Sequence, residues 1–143
     1  MKIALIAPPY PLEEAPSPPL GISYVAAACE AAGATVRIFD FIVSRYTPEK
    51  LGRALDLFQP DAVGATSVTM NFHQAAAIVR DAKRHNPDLV TMMGGPHVSF
   101  DIENTLNRYP ELDLIVVGEG EQTLSELVPV LTSRDKWEEI SGI

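Results

Sequence analysis

Leu89-Val90-Thr91-Met92-Met93-Gly94-Gly95-Pro96-His97 is the stretch that decides the fold. Leu89 to Met93 is a short, largely apolar run that reads as a buried strand, and the residues after it form a glycine–proline turn. The same pairing recurs on either side. Ala62 to Ala65 runs into Thr66-Ser67-Val68-Thr69, and Leu114 to Val117 runs into Gly118-Glu119-Gly120-Glu121. A helical pattern follows each turn. In a parallel sheet such turns all lie on the carboxyl edge, where open α/β folds bind ligands.

Working outward, Lys2 to Ala7 and Thr35 to Phe39 supply two more strands, the first ending in Pro8-Pro9 and the second at Asp40. Pro19 opens a helix through Ile22, Val25, Ala26 and Cys29 that stops at Gly33. Pro48 opens another, with Leu51, Ala54, Leu55 and Phe58 on one face. Three further helices are predicted over Asn71 to His85, Asp101 to Tyr109 and Glu121 to Leu131. Five strands thus alternate with five helices, and the strands are apolar throughout, as burial on both faces requires. With right-handed crossovers, the expected fold is a flavodoxin-like α/β three-layer sandwich around a five-stranded parallel sheet of order 2-1-3-4-5. Tyr10 to Pro18 is a proline-rich loop containing Glu13 and Glu14. Trp137 to Ile143 follow after the fold is complete and end on a short apolar segment with nothing to pair with. They read either as a tail or as a linker to a second domain.

The chain has 143 residues, 46% of them hydrophobic and 21% charged, which suits one globular domain. Its net charge of −8 argues against nucleic acid or an anionic membrane surface as partner. A lone cysteine, Cys29, excludes an internal disulfide and an iron–sulfur cluster held by this chain alone. In its Ala-rich helix it reads as a small core residue in a reducing cytoplasm. No run approaches the ~20 apolar residues of a membrane span, and Ile3 to Ala7 is too short for a signal sequence.

Missing residues remove the common occupants of such an edge. There is no Gly-x-x-x-x-Gly-Lys frame for a nucleotide phosphate. The dinucleotide glycine loop is replaced by Pro8-Pro9-Tyr10-Pro11, and proline has no N–H to offer a pyrophosphate. Asp40 then reads as a turn residue. Phospho-acceptor receiver domains need acids after the first and third strands and a Lys after the fifth, and prolines, Thr66-Ser67 and Glu119 stand there instead. His73, His85 and His97 are far apart in sequence and no metal-ligand spacing is present. His85 reads as a cation near a helix C-terminus. Ser67 has no evident base partner. What remains is a small, backbone-rich edge suited to a large, flat, amide-bearing ligand with a tail that enters between strands and helices.

The ordered set of these marks resembles the cobalamin-binding domain at the N-terminus of cobalamin-dependent radical S-adenosylmethionine proteins. The subgroup it looks most like includes the anaerobic magnesium-protoporphyrin IX monomethyl ester cyclase. The marks are Pro8-Pro9, Pro19-Leu20-Gly21, Gly33, Asp40, Ser67-Val68-Thr69, Gly94-Gly95-Pro96-His97 and Gly118-Glu119-Gly120-Glu121. The resemblance implies cobalamin over the carboxyl edge with its dimethylbenzimidazole tail beside the sheet. Ser67 and Thr69 match a Ser-x-Leu position, with Thr in place of Leu. Gly94 and Gly95 match a glycine pair that leaves room for the tail, and Gly118 and Gly120 match the last tail-side turn. Pro9, Tyr10, Thr66, Pro96, His97 and Glu119 complete the expected cofactor-contacting set. The Asp-x-His-x-x-Gly motif, whose His ligates cobalt in methionine synthase and the mutases, is replaced by Tyr10-Pro11-Leu12-Glu13-Glu14. Cobalt held without a protein imidazole is therefore expected, for methyl transfer or oxidative cyclisation. The family's Cys-x-x-x-Cys-x-x-Cys motif is absent, so S-adenosylmethionine and the iron–sulfur cluster are expected only in a separate C-terminal domain. This implies a cobalamin-binding domain over residues 1–132 and a linker over 133–143. The alternative reading is a sensor or protein-interaction domain that keeps the fold without the ligand, and a weaker one is a nucleotide- or flavin-binding module.

Overall fold

The computed structural model of the protein describes residues 1–11 and 18–143. Strands β1 (Lys2–Ala7), β2 (Thr35–Asp40), β3 (Ala62–Thr66), β4 (Val90–Gly94) and β5 (Leu114–Ile115) form one parallel sheet in the order β2-β1-β3-β4-β5. Helices α1 (Leu20–Ala31), α2 (Pro48–Phe58), α3 (Phe72–His85), α4 (Pro96–Ser99), α5 (Ile102–Arg108) and α6 (Gly120–Leu127) cover it. The expected fold class and strand order hold, but the strands are not apolar throughout: β2, at the sheet edge, carries Thr35 and Arg37 exposed, because an edge strand is not covered on all sides.

Strand alternation divides the core in two. Leu5, Met92, Leu114 and Val116 point to a face shared with Ile22, Cys29 and Leu124, the side of α1 and α6. Ile6, Val63, Ala65, Met93 and Ile115 point to the opposite face, with Leu51, Phe58 and Ile78 of α2 and α3. Each fully buried aliphatic side chain contributes roughly 1.5–3 kcal/mol, so both layers are needed to offset chain entropy. Burial of the Cys29 thiol pushes its pKa up to about 11, consistent with a packing role.

Local signals set the helix ends. The Thr47 hydroxyl accepts from Lys50 N at 3.2 Å, Pro48 fills the first turn of α2, and Gln59 closes it in a left-handed conformation. His85, at the end of α3, sits 2.7 Å from Asp56 of α2 through Nε2.

Three elements differ from expectation. The segment after β4 is not all loop, because Pro96 starts the four-residue helix α4. The last helix ends at Leu127 and continues as a 3-10 turn, Val128–Val130. β5 stops at Ile115 rather than Val117, although Val116 N still donates to Met93 O at 2.8 Å.

The expectation that Trp137 to Ile143 has nothing to pair with does not hold. Arg134–Glu139 forms a 3-10 helix, and Trp137, Ile140 and Ile143 pack on the α1/α6 side of the core. Gly142 O accepts from Val117 N at 2.8 Å, and Thr123 Oγ1 donates to Ser141 O at 3.0 Å. The segment therefore covers the open edge beside β5, which an unpaired strand would leave exposed.

Asp113 ties this segment to the sheet. Its carboxylate accepts from Lys83 Nζ at 2.7 Å, Thr91 N at 2.8 Å and Arg134 Nη1 at 2.9 Å. Burial pushes the carboxyl pKa up, but these hydrogen bonds outweigh it and hold the group below the ordinary aspartate value. A carboxyl held low stabilises fully above its unfolded pKa of about 3.9 and loses that contribution as pH falls through the folded value. Asp113→Asn is expected to cost about 1–3 kcal/mol in urea unfolding at neutral pH. The gap to the parent is expected to narrow as pH drops below about 3.9.

Candidate functional site

Sheet register brings two glycines onto one face. Leu5, Gly64, Met92 and Leu114 form a row across β1, β3, β4 and β5. One step toward the carboxyl edge, Thr66 pairs with Gly94. Gly94 therefore leaves a gap in the side-chain layer beneath α1 and α6, and the missing side chain at Gly64 lets Leu5 and Met92 settle onto the sheet beside it.

A cleft of about 460 Å³ occupies that space. Gly64, Ala65 and Gly94 form its floor, with Leu5 and Met92 beside them. Gly21, Ile22 and Val25 of α1 and Gly120, Glu121 and Leu124 of α6 line it from the helix side. Gly95, Pro96, Ser99, Phe100, Gly118 and Glu119 rim its mouth from the loops. Phe100 is 91% exposed there, an unusual position for a phenyl ring. This is the size and character of a small-molecule site: apolar walls with few polar groups.

A brace holds the mouth. Ser67, with no exposed surface, donates from its backbone N to Gly94 O at 2.8 Å, and its hydroxyl donates to the same oxygen at 3.3 Å. Gly95 follows with φ +98° and ψ 172°, a region essentially restricted to glycine. A Cβ at Gly95 would lie 2.5 Å from Ser67 O, so its missing side chain permits the close approach of the two loops. Ser99 Oγ donates to Gly95 O at 3.1 Å and accepts from Gly118 N at 3.2 Å, joining the β4 loop to the β5 loop.

The expected site residues separate into two groups. Thr66, Gly94, Gly95, Pro96, Gly118, Glu119 and Gly120 line the cleft. Ser67 braces it from beneath without reaching it. Thr69 and His97 lie outside the cleft lining: His97 Nδ1 sits 3.2 Å from Thr69 Oγ1, and its ring stacks 4.1 Å from Phe72, which packs edge-on to Tyr109. Pro9 is half-buried and Tyr10 lies at the surface; neither lines the cleft. Glu13 and Glu14 fall outside the described residues.

Sequence reasoning missed Gly64, Leu5, Ile22, Val25 and Met92 as cleft residues. The available signal was register, since Gly64 lies two residues before Thr66 and so shares its face. Among the described residues, no group of three or more His, Cys, Asp or Glu could hold a metal ion. No described helix is long and apolar enough to cross a membrane.

Residues 14–128 match the family described as the B12 binding domain. The chain belongs to this family. An uncharacterized methyltransferase of Pyrococcus horikoshii is 36% identical over the whole chain, which spans 31% of that protein. The anaerobic magnesium-protoporphyrin IX monomethyl ester cyclase of Rubrivivax gelatinosus is 36% identical over 78% of the chain, corresponding to 20% of the cyclase. The chain therefore spans a third or less of these curated relatives. Among solved structures, the cobalamin-dependent S-adenosylmethionine radical enzyme OxsB, with aqua-cobalamin and S-adenosylmethionine bound, superposes with a TM-score of 0.81 at 26% identity. That match covers 99% of this chain and 20% of OxsB. The resemblance read from the strand-end turns thus holds at the level of the family.

The cleft residues fit the family's cofactor. A cobalamin has a wide, amide-fringed corrin and a nucleotide tail ending in a flat aromatic base. The apolar interior of the cleft suits a flat aromatic base, and a mouth lined in part by Gly95, Gly118 and Gly120 suits an amide-bearing ring.

The two neighbouring glycines separate by substitution. Gly95→Ala is expected to lower stability by about 1–3 kcal/mol in thermal or urea unfolding without ligand, from strain against the Ser67 backbone. A Cβ at Gly94 would meet Val116 only at ordinary contact distances of 3.5 and 3.7 Å. Gly94→Ala is therefore expected to stay within about 0.5 kcal/mol of the parent.

Proposed function

We propose that this chain is the cobalamin-carrying module of a radical S-adenosylmethionine enzyme. The nucleotide tail enters the cleft over Gly64 and Gly94, and the corrin lies across the carboxyl edge. Thr66, Gly94, Gly95, Pro96, Gly118, Glu119 and Gly120 contact the cofactor, with Pro9, Tyr10, Ser67, Thr69 and His97 as the outlying members of the same edge. The observation that carries this reading is the cleft itself: two glycines in adjacent rows of one sheet face, apolar walls and a backbone-lined mouth, in a chain of the B12-binding family.

The cobalt is held without a protein histidine. In support, the ring of His97 is engaged with Phe72 and Thr69, and His85 is paired with Asp56. Bound cobalamin supplies a metal that carries a methyl group or changes oxidation state, and its axial ligands tune both uses. The chemistry of the whole enzyme is methyl transfer or oxidative cyclisation, in line with the methyltransferase and cyclase names of the relatives. S-adenosylmethionine and the iron–sulfur cluster belong to a further domain. The cofactor module comprises residues 1–132, and residues 133–143 lead toward that domain across the β5 edge. The greater length of the relatives supports a further domain, and residues 133–143 pack against this module on their way to it. A cytoplasmic setting fits the single reduced cysteine.

Hydroxocobalamin mixed with the protein is expected to change its visible spectrum and to co-elute with it on gel filtration. At a ligand concentration 100-fold above Kd, the bound form should gain about 2.7 kcal/mol of stability. Gly94→Val, which puts an isopropyl group into the cleft, is expected to lose the pigment while unfolding at close to the parent's urea midpoint. A colourless parent protein after desalting would favour the ligand-free sensor reading instead.

A further inference from the structure

The interior of the cleft offers almost nothing to hydrogen-bond. Its deep side chains are Leu5, Ile22, Val25, Met92 and Leu124, and the β3 and β4 backbone beneath is paired within the sheet. Of the polar side chains around it, Thr66 shares the last row of the sheet with Gly94, Glu121 stands in the first turn of α6, and Ser99 and Glu119 stand on the mouth; none lies in the deeper row of Leu5, Gly64 and Met92. The Ser99 hydroxyl is already committed on both sides, to Gly95 O and Gly118 N.

We propose that this cleft selects among corrinoids by their lower base, taking an apolar aromatic base such as dimethylbenzimidazole in preference to a purine. The inference rests on the reading that the cleft holds the nucleotide tail. A purine is similar in outline but carries extra ring nitrogens and, in adenine, an exocyclic amine. These groups are hydrogen-bonded in water and lose their partners on entering an apolar slot. A benzimidazole presents carbon and methyl groups on that edge and loses little. Gly64 sets the depth available to the base. A Cβ there would lie 3.0 Å from Leu5 Cδ2 and 3.2 Å from Met92 Cγ, so a side chain at Gly64 pushes Leu5 and Met92 into the cleft and makes it shallower. A site built for purines would carry a donor or acceptor where Gly64, Leu5 and Met92 stand.

The test is a spectroscopic titration of the whole chain with three probes: hydroxocobalamin, its adenine-based analogue pseudocobalamin, and cobinamide, which lacks the nucleotide tail. Cobalamin is expected to bind about tenfold to a hundredfold more tightly than pseudocobalamin, the range an apolar pocket achieves without a dedicated polar partner. Equal binding of the two, with cobinamide weaker, would overturn the selectivity and leave the tail site standing. Cobinamide binding as tightly as cobalamin would overturn the tail site and the selectivity with it. Binding of none of the three would overturn the cofactor reading as a whole. Gly64→Ala gives an independent arm: cobalamin affinity should fall tenfold or more, and unchanged affinity would contradict the role of Gly64 in setting the depth.

Discussion

A parallel sheet buried on both faces must be filled by side chains on both, and here one face is left short. Gly64 and Gly94 sit in adjacent rows of β3 and β4 on the α1/α6 side. Their neighbours Leu5, Met92 and Val116 are nearly fully buried, so the layer around the gap is close-packed. A vacancy of this kind forfeits dispersion contacts and costs stability unless something fills it. The missing side chain at Gly94 opens the cleft under the loop ends, and the one at Gly64 lets Leu5 and Met92 lie low enough to line its apolar floor.

The carboxyl edge carries a second constraint, a rigid mouth. Ser67, Gly94, Gly95, Ser99 and Gly118 form a continuous hydrogen-bonded chain from the β3 loop to the β5 loop. A mouth fixed in this way loses little further entropy when a large ligand docks, which favours affinity. The closing segment adds to the same end of the molecule, because Gly142 caps the Val117 N–H immediately before Gly118. Asp113 anchors that segment at its other end through Arg134. Packing of the tail and shape of the mouth are thus joined through β5.

The architecture was legible in sequence because it rests on strong local signals: apolar runs, proline at helix starts and glycine at strand ends. The cleft was only half legible. Gly94, Gly95, Gly118 and Gly120 are visible as turn glycines, yet Gly64 reads as one more small residue in a buried strand. Its importance depends on which residues of α1 and α6 pack over it, and that is a tertiary fact. The order of turns along the sequence places His97 and Thr69 in the expected site. Phe72 and Tyr109 come from distant parts of the chain, and their aromatic cluster gives the His97 ring its place. The closing segment is hard to read for a related reason. Trp137, Ile140 and Ile143 recur every three residues, the spacing of a 3-10 turn, but three residues make too short a run to stand out in sequence.

On the proposed function, the cleft would hold the nucleotide tail apart from the cobalt, and no histidine of this chain would take its place. Electron paramagnetic resonance of cob(II)alamin bound to the chain reads this directly, because an axial nitrogen splits the cobalt signal. The expected bound spectrum shows no nitrogen splitting. Splitting that survives in protein labelled throughout with the heavy nitrogen isotope would show the base still on the cobalt. Splitting that changes with the label would reveal a protein histidine. Either result would contradict the account.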